Sequence, residues 1–180
     1  VLNMLYKHTN LQVSQGITFL ALADGEPKIL NLKEMLEYYL KHQEEIIVRR
    51  TRHDLAAAQE REHIVEGLVK AQANIDRVIK IIKQSRDNVE AAEKLMAEFY
   101  LSDKQANAIL EMKLRRLTSL EIDALQAELT SLQEKIADFK SILASPKRVT
   151  DIVRDELQDI KESYDNPRRS ELVIDYDEID

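Results

Sequence analysis

The sequence has no cysteine, no tryptophan, three glycines and three prolines among its 180 residues. Without cysteine there is no disulfide framework, no thiolate ligand for zinc or an iron–sulfur cluster, and no thiol nucleophile. The glycines, Gly16, Gly25 and Gly67, stand too far apart to write GxGxxG or GxxxxGK[ST], which excludes a phosphate-cradling loop. No apolar run approaches the ~18–20 residues of a bilayer span, so no membrane partner is expected. Aromatic residues make up 5% and charged residues 33% of the chain, a balance that favours an elongated helical protein over a globular enzyme. Val1 is not an initiator methionine and nothing near it reads as a signal peptide, so the chain is expected to be a piece of something longer.

What is present is charge, unevenly distributed. The net charge is -7; residues 1–32 are neutral, 33–86 carry 11 basic and 9 acidic side chains, 87–146 carry 7 and 11, and 147–180 carry 6 and 11. An acidic second half argues against a DNA-coating surface there, because phosphate neutralisation needs clustered Lys and Arg. One basic knot stands out, Arg49, Arg50 and Arg52. It reads either as a solvated helix face or as a local phosphate contact.

Local signals place the elements. Residues Leu2–Tyr6 read as the end of a helix broken at Thr9-Asn10. Ile17–Leu22 and Lys28–Leu30 flank Asp24-Gly25, a pair typical of a type I′ turn, which predicts a hairpin. Pro27 should place the second strand after itself or at an edge. A lone hairpin is marginal in stability, so this piece is expected to join a larger sheet. Asn31 and Glu34 fit a capping box, and from there to Gln84 the chain has no proline and only Gly67, which predicts one long helix. Its second half carries a seam: Ile64, Leu68, Ala71, Ile75, Val78 and Ile82. The first half offers Leu36, Leu40 and Ile47 before charges enter the same line.

Asp87–Glu90 caps a short helix bearing Val89, Ala92, Met96 and Phe99. Ser102–Gln105 is a second capping box, opening a helix with Ala106, Ile109, Leu110, Leu114 and Leu117 as its stripe. A third box at Thr118–Glu121 starts a heptad of Ile122, Leu125, Leu129, Leu132, Ile136, Phe139 and Leu143, a coiled-coil strand. Ser145-Pro146 restarts a helix through Val149, Val153, Leu157, Ile160 and Tyr164, and Pro167 stops it. The expected fold is therefore mostly α: a long antiparallel two-stranded coiled coil with a small helical knob at its tip, plus an N-terminal β-hairpin. The segments are 1–30 with the hairpin, 31–86 outgoing helix, 87–117 tip knob, 118–166 returning helices and 167–180 acidic tail.

No catalytic constellation can be written. His8, His42, His53 and His63 include no HxxxH or HExxH spacing, and carboxylate pairs such as Glu60/Glu62 and Asp155/Glu156 sit in charged helical stretches. No metal ligand set and no cofactor site is expected. In the knob, Gln105, Ala108, Met112 and Arg115 share a face about 200° from the stripe if the helix continues to Leu117. That face reads either as the second side of a packed helix or as a symmetric contact with a second copy, where methionine adapts well.

The run Leu101–Glu121 (LSDKQANAILEMKLRRLTSLE) resembles the signature block of the A subunit of bacterial-type type IIA topoisomerases, DNA gyrase more closely than topoisomerase IV. Leu5–Gln12, Asp24–Lys28 with Asn31–Glu34, Arg49–Thr51, and His63–Leu68 with Asn74–Asp76 are similar to further family blocks in the same order, and Asn166–Glu171 to its exit segment. The resemblance implies a part of an ATP-dependent enzyme that passes one DNA duplex through a transient double-strand break in another. It implies a coiled coil whose tip dimerises as the exit gate, or C-gate, with Met112 in that gate. It also implies an assembly of two A and two B subunits on double-stranded DNA in the cytoplasm, with ATP and magnesium bound mainly by the B subunit. The family's nucleophilic tyrosine belongs to an upstream winged helix; none of Tyr6, Tyr38, Tyr39, Tyr100, Tyr164 and Tyr176 has its neighbours. Beside this stands a different class, a nucleic-acid-binding coiled-coil arm. Its basic stripe would be Arg49, Arg50 and Arg52 with Lys70, Arg77, Lys80, Lys83 and Arg86.

Overall fold

The computed structural model describes residues 1–112 and 119–171, and the side chains of all of these except 119–122. Among them are seven helices and one hairpin: α1 (Leu2–His8), β1 (Phe19–Ala23), β2 (Glu26–Leu30), α2 (Leu32–Ala73), α3 (Ile75–Gln84), α4 (Asn88–Phe99), α5 (Asp103–Leu110), α6 (Ser119–Ala144) and α7 (Pro146–Tyr164). The fold is mostly α, and it divides into two compact units, Val1–Glu45 with Asp151–Asp180, and Ile46–Thr150.

In the first unit the hairpin forms as its turn residues require. Asp24 and Gly25 both take positive φ (55° and 82°), the backbone of a type I′ turn. Pairing runs from Ala23 opposite Glu26 to Phe19 opposite Leu30. Pro27 lies inside β2 and not before it. It faces Leu22, next to the turn-flanking pair, where the alternation of an antiparallel ladder puts a non-hydrogen-bonded position, so its missing N–H costs the ladder nothing. One face of the hairpin buries Ala23 and Leu30 against the start of α2, where Lys41 Nζ bonds Asp24 at 3.2 Å and Lys28 Nζ stands 5.9 Å from the Tyr38 ring centre. The opposite face leaves Leu20, Leu22 and Ile29 exposed.

Helix α2 begins as expected: Glu34 N–H donates to Asn31 Oδ1 (2.9 Å) while Glu34 Oε2 accepts from Asn31 N–H (2.8 Å). Leu36 and Leu40, expected in a buried stripe, are exposed, and burial on α2 starts at Ile47 and Thr51. The helix ends at Ala73 and does not run on to Gln84. Asn74 is the cause. Its side-chain amide donates to Lys70 O (3.1 Å), the carbonyl its own N–H would take in a continuous helix. That N–H bonds Ala71 O instead (3.1 Å), and α3 starts afresh from Asn74 at φ -127° and ψ 35°. The restart shifts the helical phase, so Ile81 is buried where Ile82 was expected, and Ile82 is exposed.

In the second unit one apolar cluster joins the end of α2, helices α3–α5 and the start of α6. Val65, Leu68, Ala71, Val78, Leu95, Leu101, Ala106, Ile109, Leu125 and Leu129 are all buried in it, with Ile64, Ile75 and Leu132 packed on its edge. The heptad of α6 is inward at Leu125, Leu129 and Ile136; Phe139 and Leu143 are half-buried and Ile142 is more deeply buried than either. Ile122 falls among the side chains outside the described set. Helix α7 starts at Pro146, with Arg148 N–H donating to the Ser145 hydroxyl (3.4 Å). Val149 and Val153 are buried, whereas Ile160 and Tyr164 are exposed.

Candidate interaction site: the helical tip

The tip is built from two short helices, α4 and α5, each with a capped start and both packed in one cluster with α3. Asp87 Oδ1 accepts from Glu90 N–H (2.8 Å) and Glu90 Oε2 accepts from Arg86 N–H (2.8 Å), which fixes the start of α4. The same carboxylate bonds Lys94 Nζ (2.8 Å), and that bond holds Glu90 below the usual carboxylate range, aided by the Arg86 N–H. Helix α4 ends at Tyr100 in the left-handed region (φ 53°, ψ 45°), an uncommon conformation for a non-glycine residue. The turn carries Leu101 into the core and leaves the Tyr100 ring in solvent, 91% exposed. Ser102 and Gln105 then form the expected capping box at α5: Gln105 N–H donates to Ser102 Oγ (3.3 Å) and Ser102 N–H to Gln105 Oε1 (3.0 Å).

Gln105 does more than cap. Its Nε2 donates to the backbone carbonyl of His63 on α2 (2.6 Å), and the His63 ring stands 2.6 Å (Nε2) from Ser102 Oγ. The stem of Gln105 lies on Gly67: a Cβ at residue 67 would fall 2.7 Å from Gln105 Cγ and 2.8 Å from its Cβ. A mid-helix glycine, costly for α2 alone, is thus what lets α5 sit against it. Outside this lock, the Lys104 ammonium pairs with the Glu60 carboxylate, and their bond lowers Glu60 and raises Lys104 from their ordinary values. Arg61 Nε bonds Glu128 on α6 (2.7 Å), which raises the guanidinium further, and Arg77 bonds Glu98 between α3 and α4 (2.9 Å). Polar contacts therefore tie α5 to α2, α6 to α2 and α4 to α3 over a shared apolar core.

The face expected to meet a second copy is only partly as drawn. Gln105 is 3% exposed and its polar atoms are spent within the chain, so it does not belong to an open face. Helix α5 ends at Leu110, with Met112 N–H on Ile109 O (3.2 Å), so the 200° offset of a continuous helix does not apply to Met112. Ala108 and Met112 are half-buried on the edge of the cluster. Arg115, Leu114 and Leu117 lie outside the described residues. Helical spacing alone places Gln105 outward; the signal for its inward role is Gly67, whose missing Cβ leaves room for the Gln105 stem.

Arg49, Arg50 and Arg52 are exposed on α2, while Thr51 between them is buried and donates its hydroxyl to Ile47 O (2.8 Å). The histidines are not brought together, and no group of three or more His, Asp or Glu that could hold a metal occurs among the described residues. No helix among the described residues is long and apolar enough to cross a membrane.

The sequence has relatives among known proteins. The family model for the A subunit of DNA gyrase/topoisomerase IV matches residues 1–158. The chain belongs to this family. It is 48% identical over 174 residues to the DNA gyrase A subunit of Streptococcus pneumoniae serotype 4, a match that covers 97% of the chain and 21% of the relative. It is 49% identical over 173 residues to the DNA gyrase A subunit of Brachyspira hyodysenteriae (96% and 21%), and 51% identical over 174 residues to that of Leptospira biflexa (97% and 21%). The chain thus spans about a fifth of the length of these relatives and corresponds to one region of them. Within the matched residues lie the Gly67–Gln105 lock and the two capped helices α4 and α5.

Proposed function

We propose that this chain is the arm and exit gate of a DNA gyrase A subunit, a structural part that carries no catalytic group itself. The observation that carries the reading is the tip. A helix pair can be closed by a short loop, yet α4 and α5 form a capped, core-bearing knob locked onto α2 through Gln105 and Gly67. Such a body is rigid enough to present one surface to a second copy and to part from it as a unit. In this reading residues 31–86 lead out, 87–117 form the gate, and 118–166 return. Ala108, Met112 and Arg115 border the gate contact, and the exposed Tyr100 ring stands on the same knob.

The parent protein would then be an ATP-dependent type IIA topoisomerase of the cytoplasm, two A subunits working with two B subunits on duplex DNA. Strand cleavage would reside upstream of this region, and ATP and magnesium in the B subunit. The exposed Leu20, Leu22 and Ile29 face supports a hairpin that joins a larger sheet of the parent. The acidic balance of residues 87–180 suits a gate that DNA must leave without sticking. Sedimentation of the chain and of a Met112→Glu variant tests the gate: the unmodified chain is expected to dimerise and the variant to be monomeric. A dimer untouched by Met112→Glu removes that residue from the contact.

A further inference from the structure

Seven arginines lie within the described helices, and five of them are engaged. Arg61, Arg77, Arg148 and Arg154 bond Glu128, Glu98, Asp138 and Asp151, and Arg50 also interacts. The two without a partner among the described residues are Arg49 and Arg52, one turn apart on α2. Their placement follows from the helix. With Ile47 (1% exposed) and Thr51 (5%) facing inward, a turn of about 100° per residue puts Arg49 about 200° and Arg52 about 140° from Ile47. The exposed Ala56 lies between them at about 180°, and His53, bonded to Asp54 at 3.2 Å, borders the strip.

We infer that Arg49 and Arg52 are a contact for the sugar–phosphate backbone of duplex DNA, made on the outer face of α2. Two guanidinium forks on neighbouring turns match phosphate oxygens bidentately. Beside the arginines the strip holds Ala56 and, one turn before Arg49, the exposed Glu45 at about 160°, with no aromatic or aliphatic anchor. A protein partner would need such an anchor, whereas backbone contact with DNA needs only donors and charge. The contact is independent of base sequence and sensitive to salt.

The inference rests on the gyrase reading for the source of the duplex, and the experiment keeps the two apart. In the assembled enzyme, a photoreactive benzoylphenylalanine replaces Ala56, and cross-linking to a DNA circle is followed during ATP-driven supercoiling. The expected product is a DNA adduct whose yield falls with salt. Between 50 and 200 mM salt the loss should be about twelvefold larger than in an Arg49→Gln/Arg52→Gln background, from two phosphate contacts. Arg49→Lys/Arg52→Lys should keep most of the salt response. Normal supercoiling with no DNA adduct, or an adduct to the acidic tail of the same chain, overturns the contact and leaves the gate reading standing. An assembly that does not supercoil at all overturns the gyrase reading on which the contact rests.

Discussion

Replacing Gly67 by alanine puts the packing of the tip to the test. On a solvent-facing helix the change stabilises by about 1 kcal/mol, since glycine is the poorer helix former. Here the new Cβ would stand 2.7 Å from Gln105 Cγ and 2.8 Å from Gln105 Cβ, the rigid base of that side chain, so relief requires α5 to move. Overpacking of this kind costs about 1–3 kcal/mol. A shift of α5 also loosens the Gln105 Nε2 bond to His63 O, worth about 1 kcal/mol more. The net expectation is destabilisation by about 1–3 kcal/mol once the helix-propensity gain is set against these terms. Urea unfolding followed by circular dichroism at 222 nm reads it, and a double-mutant cycle isolates the cause. Gly67→Ala should cost far less in a Gln105→Gly background, which removes both the Cβ and the Cγ it meets, with a coupling of about 1 kcal/mol or more. An alanine variant about 1 kcal/mol more stable than the parent would refute the close approach of α5.

Other consequences are as direct. Leu95 is fully buried in the tip core, and Leu95→Ala should cost about 2–5 kcal/mol in the same unfolding assay. Ser102→Ala removes the cap of α5 and should cost about 0.5–2 kcal/mol, with Ser102→Thr restoring most of it. Glu90 and Glu60 both titrate below the usual carboxylate range in the folded chain, so their contribution is present above that range and is lost as pH falls through their lowered values. Unfolding midpoints should therefore drop on acidification, and less so in a Glu90→Gln/Glu60→Gln variant; an equal drop in both would remove these carboxylates from the account.

Much of this architecture can be read from local chemistry. Asp24-Gly25 specifies its turn, and Asn31/Glu34, Asp87/Glu90 and Ser102/Gln105 specify helix starts, because each signal acts within four residues. Periodicity found Leu68, Ala71 and Val78 and the inward line of α6. It failed where one side chain altered the backbone: Asn74 takes Lys70 O, resets the phase, and exchanges Ile82 for Ile81. It failed again where burial depends on contact distant in sequence. Gln105 looks solvent-facing by spacing, and only the bare backbone at Gly67, 38 positions earlier, admits it to the interior. Leu36 and Leu40 have helical spacing without burial, since spacing does not say what covers a stripe.

The central claim is that the tip is a gate between two copies, and a reversible lock tests it most directly. The chain has no cysteine, so Met112→Cys adds a single thiol to this region. In the assembled enzyme, freed of any other reactive cysteine, oxidation should link the two A subunits through residue 112. Supercoiling should stop on oxidation and return on reduction. Failure of the two copies to link through the tip, or undiminished supercoiling by a fully linked enzyme, would contradict the claim.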